Sequence, residues 1–188
     1  TTLTLNIERA ISELRRGGKI VISDPNFGTS VLLVAAELID KETVEKLSNH
    51  ALSRPNIILS SNRCNAIGIK VTNEPCSILI DKYWSVHDIL SLCMPLTAHK
   101  IPIINGVIIE DIKSMVSYCL LILRQSRLLP AGLMSIISDI PVENINQWAY
   151  KNNFIHVDIS EIGSYEQNNA ESLAITVRAK VPIAETDN

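Results

Sequence analysis

Residues 19–37 read KIVISDPNFGTSVLLVAAE, and the fold turns on how they are parsed. Lys19–Ser23 is a run rich in β-branched residues, which suit extended backbone. Asp24-Pro25-Asn26-Phe27-Gly28 is turn vocabulary. Val31–Ala36 is a second apolar run, closed by Glu37. The stretch therefore predicts strand, loop and strand, the layout of a loop that carries chemistry. Yet between Asp24 and Glu37 it holds no acid, no base and no histidine.

Working outward, strands and helices interleave. Asn6 is placed to cap a helix whose Ile7, Ala10, Ile11 and Leu14 share one face, and Gly17-Gly18 stops it. Asp40 caps a helix carrying Val44 and Leu47. Asn56–Ser61 and Cys76–Ile80 read as strands. Ser85 caps a helix through Ile89, Leu90 and Cys93, ended by Pro95. Residues 97–108 are poorly defined, with Ile101–Ile104 extended. Glu110–Arg127 reads as the longest helix, burying Ile112, Val116, Cys119, Leu120 and Leu123. Leu129-Pro130-Ala131-Gly132 turns into the apolar run Leu133–Ile137, Pro141 starts a helix bearing Ile145, Trp148 and Ala149, and Phe154–Ile159 is another strand. The class is α/β or α+β, a mixed sheet flanked by helices. Glu166–Glu171 looks like a linker, after which Leu173–Pro182 reads as extended.

Composition narrows the function classes. Of 188 residues, 46% are hydrophobic but only 4% aromatic, so the core is aliphatic. A net charge of −3 gives no general reason to bind nucleic acid or an anionic membrane. Thr1–Ala10 has no signal-peptide pattern, and no uncharged apolar run reaches the ~18 residues of a membrane span. A cytoplasmic protein is expected. Cys64, Cys76, Cys93 and Cys119 form no CxxC pair, so they read as buried or free thiols in a reducing compartment rather than metal ligands.

Four pieces, in order, resemble the 3,4-dihydroxy-2-butanone 4-phosphate synthase family of riboflavin biosynthesis, whose enzymes convert ribulose 5-phosphate. They are Ile7–Glu37, with its helix, Gly17-Gly18, strand, loop and AAE; Thr43–Ile67, with Asn49-His50 and Asn62-Arg63-Cys64; Leu129–Gly132 (LPAG) and the strand after it; and Trp148–Tyr165. The order and spacing carry the likeness more than any single motif. Thr176–Pro182 (TVRAKVP) and Glu185 resemble the connector that leads to GTP cyclohydrolase II in bifunctional riboflavin proteins. The resemblance thus implies a family-like domain over residues 1–165, then a linker and connector over 166–188 toward a second domain.

Against that resemblance, the family's chemistry is missing. Its first loop carries an acidic D-D-E-x-R-E-N-E-G-D-L pattern whose glutamates hold magnesium. A hard cation and a proton acceptor are what enolising a ketose requires. Here only Asp24 matches an acid, and the metal-holding glutamate falls on Phe27 or Gly28. The family's G-H-T-E motif falls on Ser114-Met115-Val116-Ser117; the serines are weak phosphate candidates, and Met115 is a poor magnesium ligand. The late catalytic glutamate falls near Ile136, and the family's Thr-Thr-Gly segment has no counterpart at 82–92.

The site candidates are accordingly weak. Asp24 doubles as a turn starter and His50 as a helix-end residue. His87 and Asp88 point about 100° apart on a helix and do not form a base with its orienter. Arg15-Arg16 and Arg124 with Arg127 attract phosphate or simply solvate helix faces. No metal is expected in this chain; zinc would belong to the cyclohydrolase. The expected role is a degenerate domain that forms a homodimer and supports a fused GTP cyclohydrolase II. The alternative is an active magnesium-dependent synthase with displaced ligands among Asp24, Asp81, Asp88, Glu110 and Asp111.

Overall fold

The 19–37 stretch forms the hairpin its composition predicts. In the computed structural model, which describes residues 2–95, 100–108 and 113–180, β1 (Ile20–Asp24) pairs antiparallel with β2 (Thr29–Ala35), Ile20 opposite Leu33 and Asp24 opposite Thr29. Both strands are almost wholly buried, so each reads as a continuous apolar run rather than an alternating one. Around them lie α1 (Thr2–Arg15), α2 (Lys41–Ala51), β3 (Asn56–Leu59), α3 (Ser61–Ala66), β4 (Cys76–Leu79) and α4 (Val86–Cys93). Then follow β5 (Val107–Ile108), α5 (Lys113–Gln125), β6 (Ala131–Ile136), α6 (Ile145–Lys151), β7 (Ile155–Asp158) and α7 (Ile159–Lys180).

The described strands form one mixed sheet in the order β5-β4-β3-β6-β2-β1-β7. Only β1 and β7 run parallel; the other neighbours are antiparallel. Side chains alternate between faces, so the two sides of each strand feed two cores. One face seats α2, α3, α4 and α6 over Val21, Leu32, Val34, Ile57, Leu59 and Leu133. The other seats α1, α5 and α7 over Ile20, Ile22, Val31, Leu33, Ile58 and Met134. The cores are overwhelmingly aliphatic, as the scarcity of aromatics requires.

Local signals settled several ends. Asp40 accepts the Thr43 amide at 2.7 Å as the cap of α2. Ser85 and Asp88 form a reciprocal capping box on α4. Gly17, at φ +80°, closes α1 by returning its amide to Leu14 O while Gly18 N bonds Glu13 O. The buried face expected for α5 is present at Val116, Cys119, Leu120 and Leu123, which makes α5 a core helix.

Several expectations need correction. Asn6 does not cap α1, which begins at Thr2; its amide reaches across to His156 O at 2.9 Å. The longest described helix is α7, with 22 residues, while residues 110–112 of the expected Glu110–Arg127 helix lie outside the described residues. Glu166–Glu171 is helical and Leu173–Lys180 is not extended: both continue α7, and residues 181–182 of the expected Leu173–Pro182 segment lie outside the described residues. Glu, Gln, Ala, Leu, Arg and Lys supply helix propensity there, and it outweighs the short alternation through Ile175 and Val177. Ile101–Ile104 forms no strand, and β5 lies beyond it.

The thiol expectation holds for two of four cysteines. Cys93 and Cys119 are free and buried, and desolvation pushes the Cys93 thiol up to about 12 and the Cys119 thiol higher still. Cys64 and Cys76, in contrast, are joined by a disulfide that ties α3 to the start of β4. Proximity in space, which spacing in sequence did not reveal, decides that pairing.

Candidate functional site

At the β1–β2 turn, the geometry follows from local chemistry. Asp24 is buried, and its Oδ1 accepts the amides of Asn26 at 3.0 Å and Phe27 at 3.4 Å. That carboxylate therefore organises the turn. Gly28 takes the left-handed φ of +62° that the turn needs. Phe27 points its ring outward, 76% exposed. Beside the turn, Val31 lies opposite Ile136, whose carbonyl accepts Ser53 Oγ at 2.7 Å. His50 sits on the last turn of α2, where Nδ1 meets Lys46 O at 2.7 Å and the ring makes an edge contact with Phe154.

A magnesium site would need several oxygen donors converging here. Asp24 is already committed to two backbone amides, and Phe27 and Ile136 offer no side-chain oxygen. Met115 is buried in the core against the sheet. Among the described residues, no group of three or more His, Cys, Asp or Glu side chains could hold a metal. The residues described at this end do not fit the cation.

The remaining candidates are scattered. Ser114 is exposed on the first turn of α5. Ser117 lines a pocket of about 380 Å³ with Ser60, Ser61, Asn62, Asn73 and Arg124. That pocket adjoins Pro130 and the end of β3, where Leu59 pairs with Ala131. The Asp24 turn lies at the opposite, Ile136 end of the sheet, so the fold does not bring Ser117 and Asp24 together. Asp81 accepts the Tyr83 amide and Asp88 serves the capping box. Glu110 and Asp111 lie outside the described residues.

A polar cluster not expected from the sequence lies at the β7 edge. His156 Nε2 is 2.8 Å from Ser23 Oγ, and its Nδ1 is 3.3 Å from Asn146 Oδ1. A neutral ring satisfies both contacts if Nδ1–H donates to Asn146 and Nε2 accepts the Ser23 hydroxyl. Ser23 is only 1% exposed, so this pair orders the sheet edge instead of presenting a nucleophile. Glu161 accepts the Asp158 amide at 2.8 Å and the Asn6 amide nearby, and Arg9 lines the same groove. The only sequence signal was His156 set between two apolar strand residues; its partner came from the parallel register of β1 and β7.

Burial lowers the His156 pKa, and the nearby Glu161 and Asp158 charges only partly oppose it. Because the folded ring holds its proton less tightly than the unfolded one, acid favours unfolding. Stability contributed by the neutral ring is full above the unfolded value near 6.5, and falls as pH drops from there to the lower folded pKa. Urea midpoints measured from pH 8 to pH 5 are expected to fall more steeply in wild type than in His156→Gln. Parallel curves would show that His156 is not the titrating group.

No family model matches the sequence, and no curated protein matches it. Solved structures do. A synthase structure from Candida albicans superposes with a TM-score of 0.62 at 19% identity, covering 85% of this chain and 96% of that one. The fold is that of 3,4-dihydroxy-2-butanone 4-phosphate synthase. A cation-free synthase structure gives a TM-score of 0.65 at 13% identity, covering 86% of this chain and 97% of that one. A two-domain synthase from A. baumannii gives 0.62 at 16% identity over 83% of this chain. This chain spans 56% of that two-domain protein. The likeness covers the mixed sheet and its flanking helices. Among the described residues, no helix is long and apolar enough to cross a membrane.

Proposed function

We propose that this chain is a catalytically degenerate synthase-like domain of a riboflavin-biosynthesis protein, acting as a homodimeric scaffold for a fused GTP cyclohydrolase II domain. The reading is supported by the β1–β2 turn, where the one carboxylate holds backbone amides, and by the resemblance, which sets Phe27 or Gly28 and Met115 at the family's metal-ligand positions and Ile136 near its late catalytic glutamate. A missing general acid or base costs roughly 10²–10⁴-fold each, and a missing metal several kcal/mol more. Zinc and GTP chemistry would belong to the fused domain. Leu79 on β4 and Ile101 and Ile103 in the segment before β5 are exposed and offer apolar surface for the dimer contact. A cytoplasmic location is part of the same proposal.

The test is formate release from ribulose 5-phosphate with magnesium, run beside an active synthase. No formate above background at high protein concentration is the expected result. Magnesium-dependent turnover would overturn it and make Glu110, Asp111 and Asp81 the first residues to replace. Sedimentation of the purified chain gives the dimer directly, and a monomer would remove the scaffold role.

A further inference from the structure

Arg15 ends α1, Arg124 lies on the last turn of α5, and Arg127 follows that helix; the fold brings all three to one cleft of about 730 Å³ beside α7. Arg15 Nε donates to Ser126 O at 2.8 Å, which fixes the guanidinium and leaves its other N–H donors for a ligand. Arg127 occupies a left-handed position, φ +56°, where a glycine or asparagine is the relaxed choice. Last-turn cations favour the macrodipoles of their own helices, Arg15 on α1 and Arg124 on α5, but that does not account for the two helix ends and Arg127 lining one cleft. Among the described residues the ion pairs are Arg16–Glu13, Lys41–Glu45 and Lys46–Glu42, so none engages these three arginines. Glu166 on α7 accepts Gln125 Nε2 at 3.0 Å. Tyr165 and Asn169 complete the wall with a ring and an amide.

We propose that this cleft binds an oligophosphate group, two or more linked phosphoryls, in a chain whose overall charge is negative. Planar guanidiniums match phosphoryl oxygens through paired N–H donors, and three of them exceed what a single phosphate needs. The cleft volume is in the range of small-ligand sites. It lies at the Pro130 end of the sheet, away from the Asp24 turn, and so stands independently of the scaffold reading.

Titration calorimetry of the purified chain with inorganic pyrophosphate, and in parallel with ADP, tests it. Saturable pyrophosphate binding is expected, weakened roughly tenfold or more by Arg124→Gln and by Arg127→Gln. Arg16→Gln, which changes the same charge outside the cleft, should leave affinity unchanged. Arg124→Lys retains charge and guards against a folding defect; it should bind more weakly than wild type at an unaltered melting temperature. Tighter ADP than pyrophosphate would assign a nucleotide stacked on Tyr165, and equal affinities the bare oligophosphate. Absence of saturation, or equal weakening by Arg16→Gln, overturns the site.

Discussion

Gly132→Val is expected to destabilise the domain by about 3 kcal/mol or more, enough to leave much of it unfolded at 37 °C. Gly132 lies on β6, a central strand, opposite Ala35 of β2 and Ile58 of β3. A β-carbon there would meet Val34 O at 2.9 Å, Leu123 Cδ1 at 3.0 Å and Leu33 Cδ1 at 3.1 Å. The nearest of these is backbone, held between two ladders, and it cannot swing aside as a flexible side chain would. The two further methyls of valine would press on Leu33 and Leu123, both fully buried. Gly132→Ala should therefore be milder, since it adds the three contacts of the β-carbon but not the further methyls. Urea unfolding followed by far-UV circular dichroism measures both; a valine variant with the wild-type midpoint would show that the sheet and α5 separate at little cost.

Opening the Cys64–Cys76 bridge is the second large effect. The two residues are 12 apart, and closing a loop of that size removes chain entropy from the unfolded state worth roughly 3 kcal/mol. Both sulfurs are buried, so reduction also leaves two thiols in the apolar core below β3 and β4. Thermal unfolding with and without dithiothreitol is expected to differ by several degrees, and Cys64→Ala with Cys76→Ala should match the reduced protein. Identical melts, together with two extra titratable thiols in the untreated denatured chain, would show that the pair is not bridged. In a glutathione-buffered compartment such a bridge tends to be open, so thiol counting on freshly lysed cells also bears on where the protein resides.

Much of the fold was legible because its signals are local. The hairpin at 19–37, the caps at Asp40 and Ser85, and the buried stripe of α5 each depend on residues within a few positions of one another. The tail was misread for the opposite reason. Glu166–Lys180 carries few apolar anchors, and helix propensity and a short β-branched alternation compete there on nearly equal terms. Docking against α1 and α5, which begins with Ile159 and the fully buried Ile162 earlier in the helix, favours the helical form.

The candidate site divides the same way. That the turn lacks ligands could be read directly from Asp24 to Leu33, because an absent side chain needs no geometry to establish it. What Asp24 does with its carboxylate required coordinates, and so did the separation of Ser117 from it.

The sequence by itself determined an aliphatic mixed-sheet domain, several of its helix ends, and a hairpin loop with no acid beyond Asp24. Those follow from composition, periodicity and capping chemistry, which act over one or two turns of chain. Only the tertiary structure decided that Ser23 meets His156 across 133 residues, that Arg15 meets Ser126 across 111, and that Cys64 finds Cys76. Those meetings depend on strand register and helix packing; on the strands, a shift of one residue would turn Ser23 or His156 to the opposite face of the sheet.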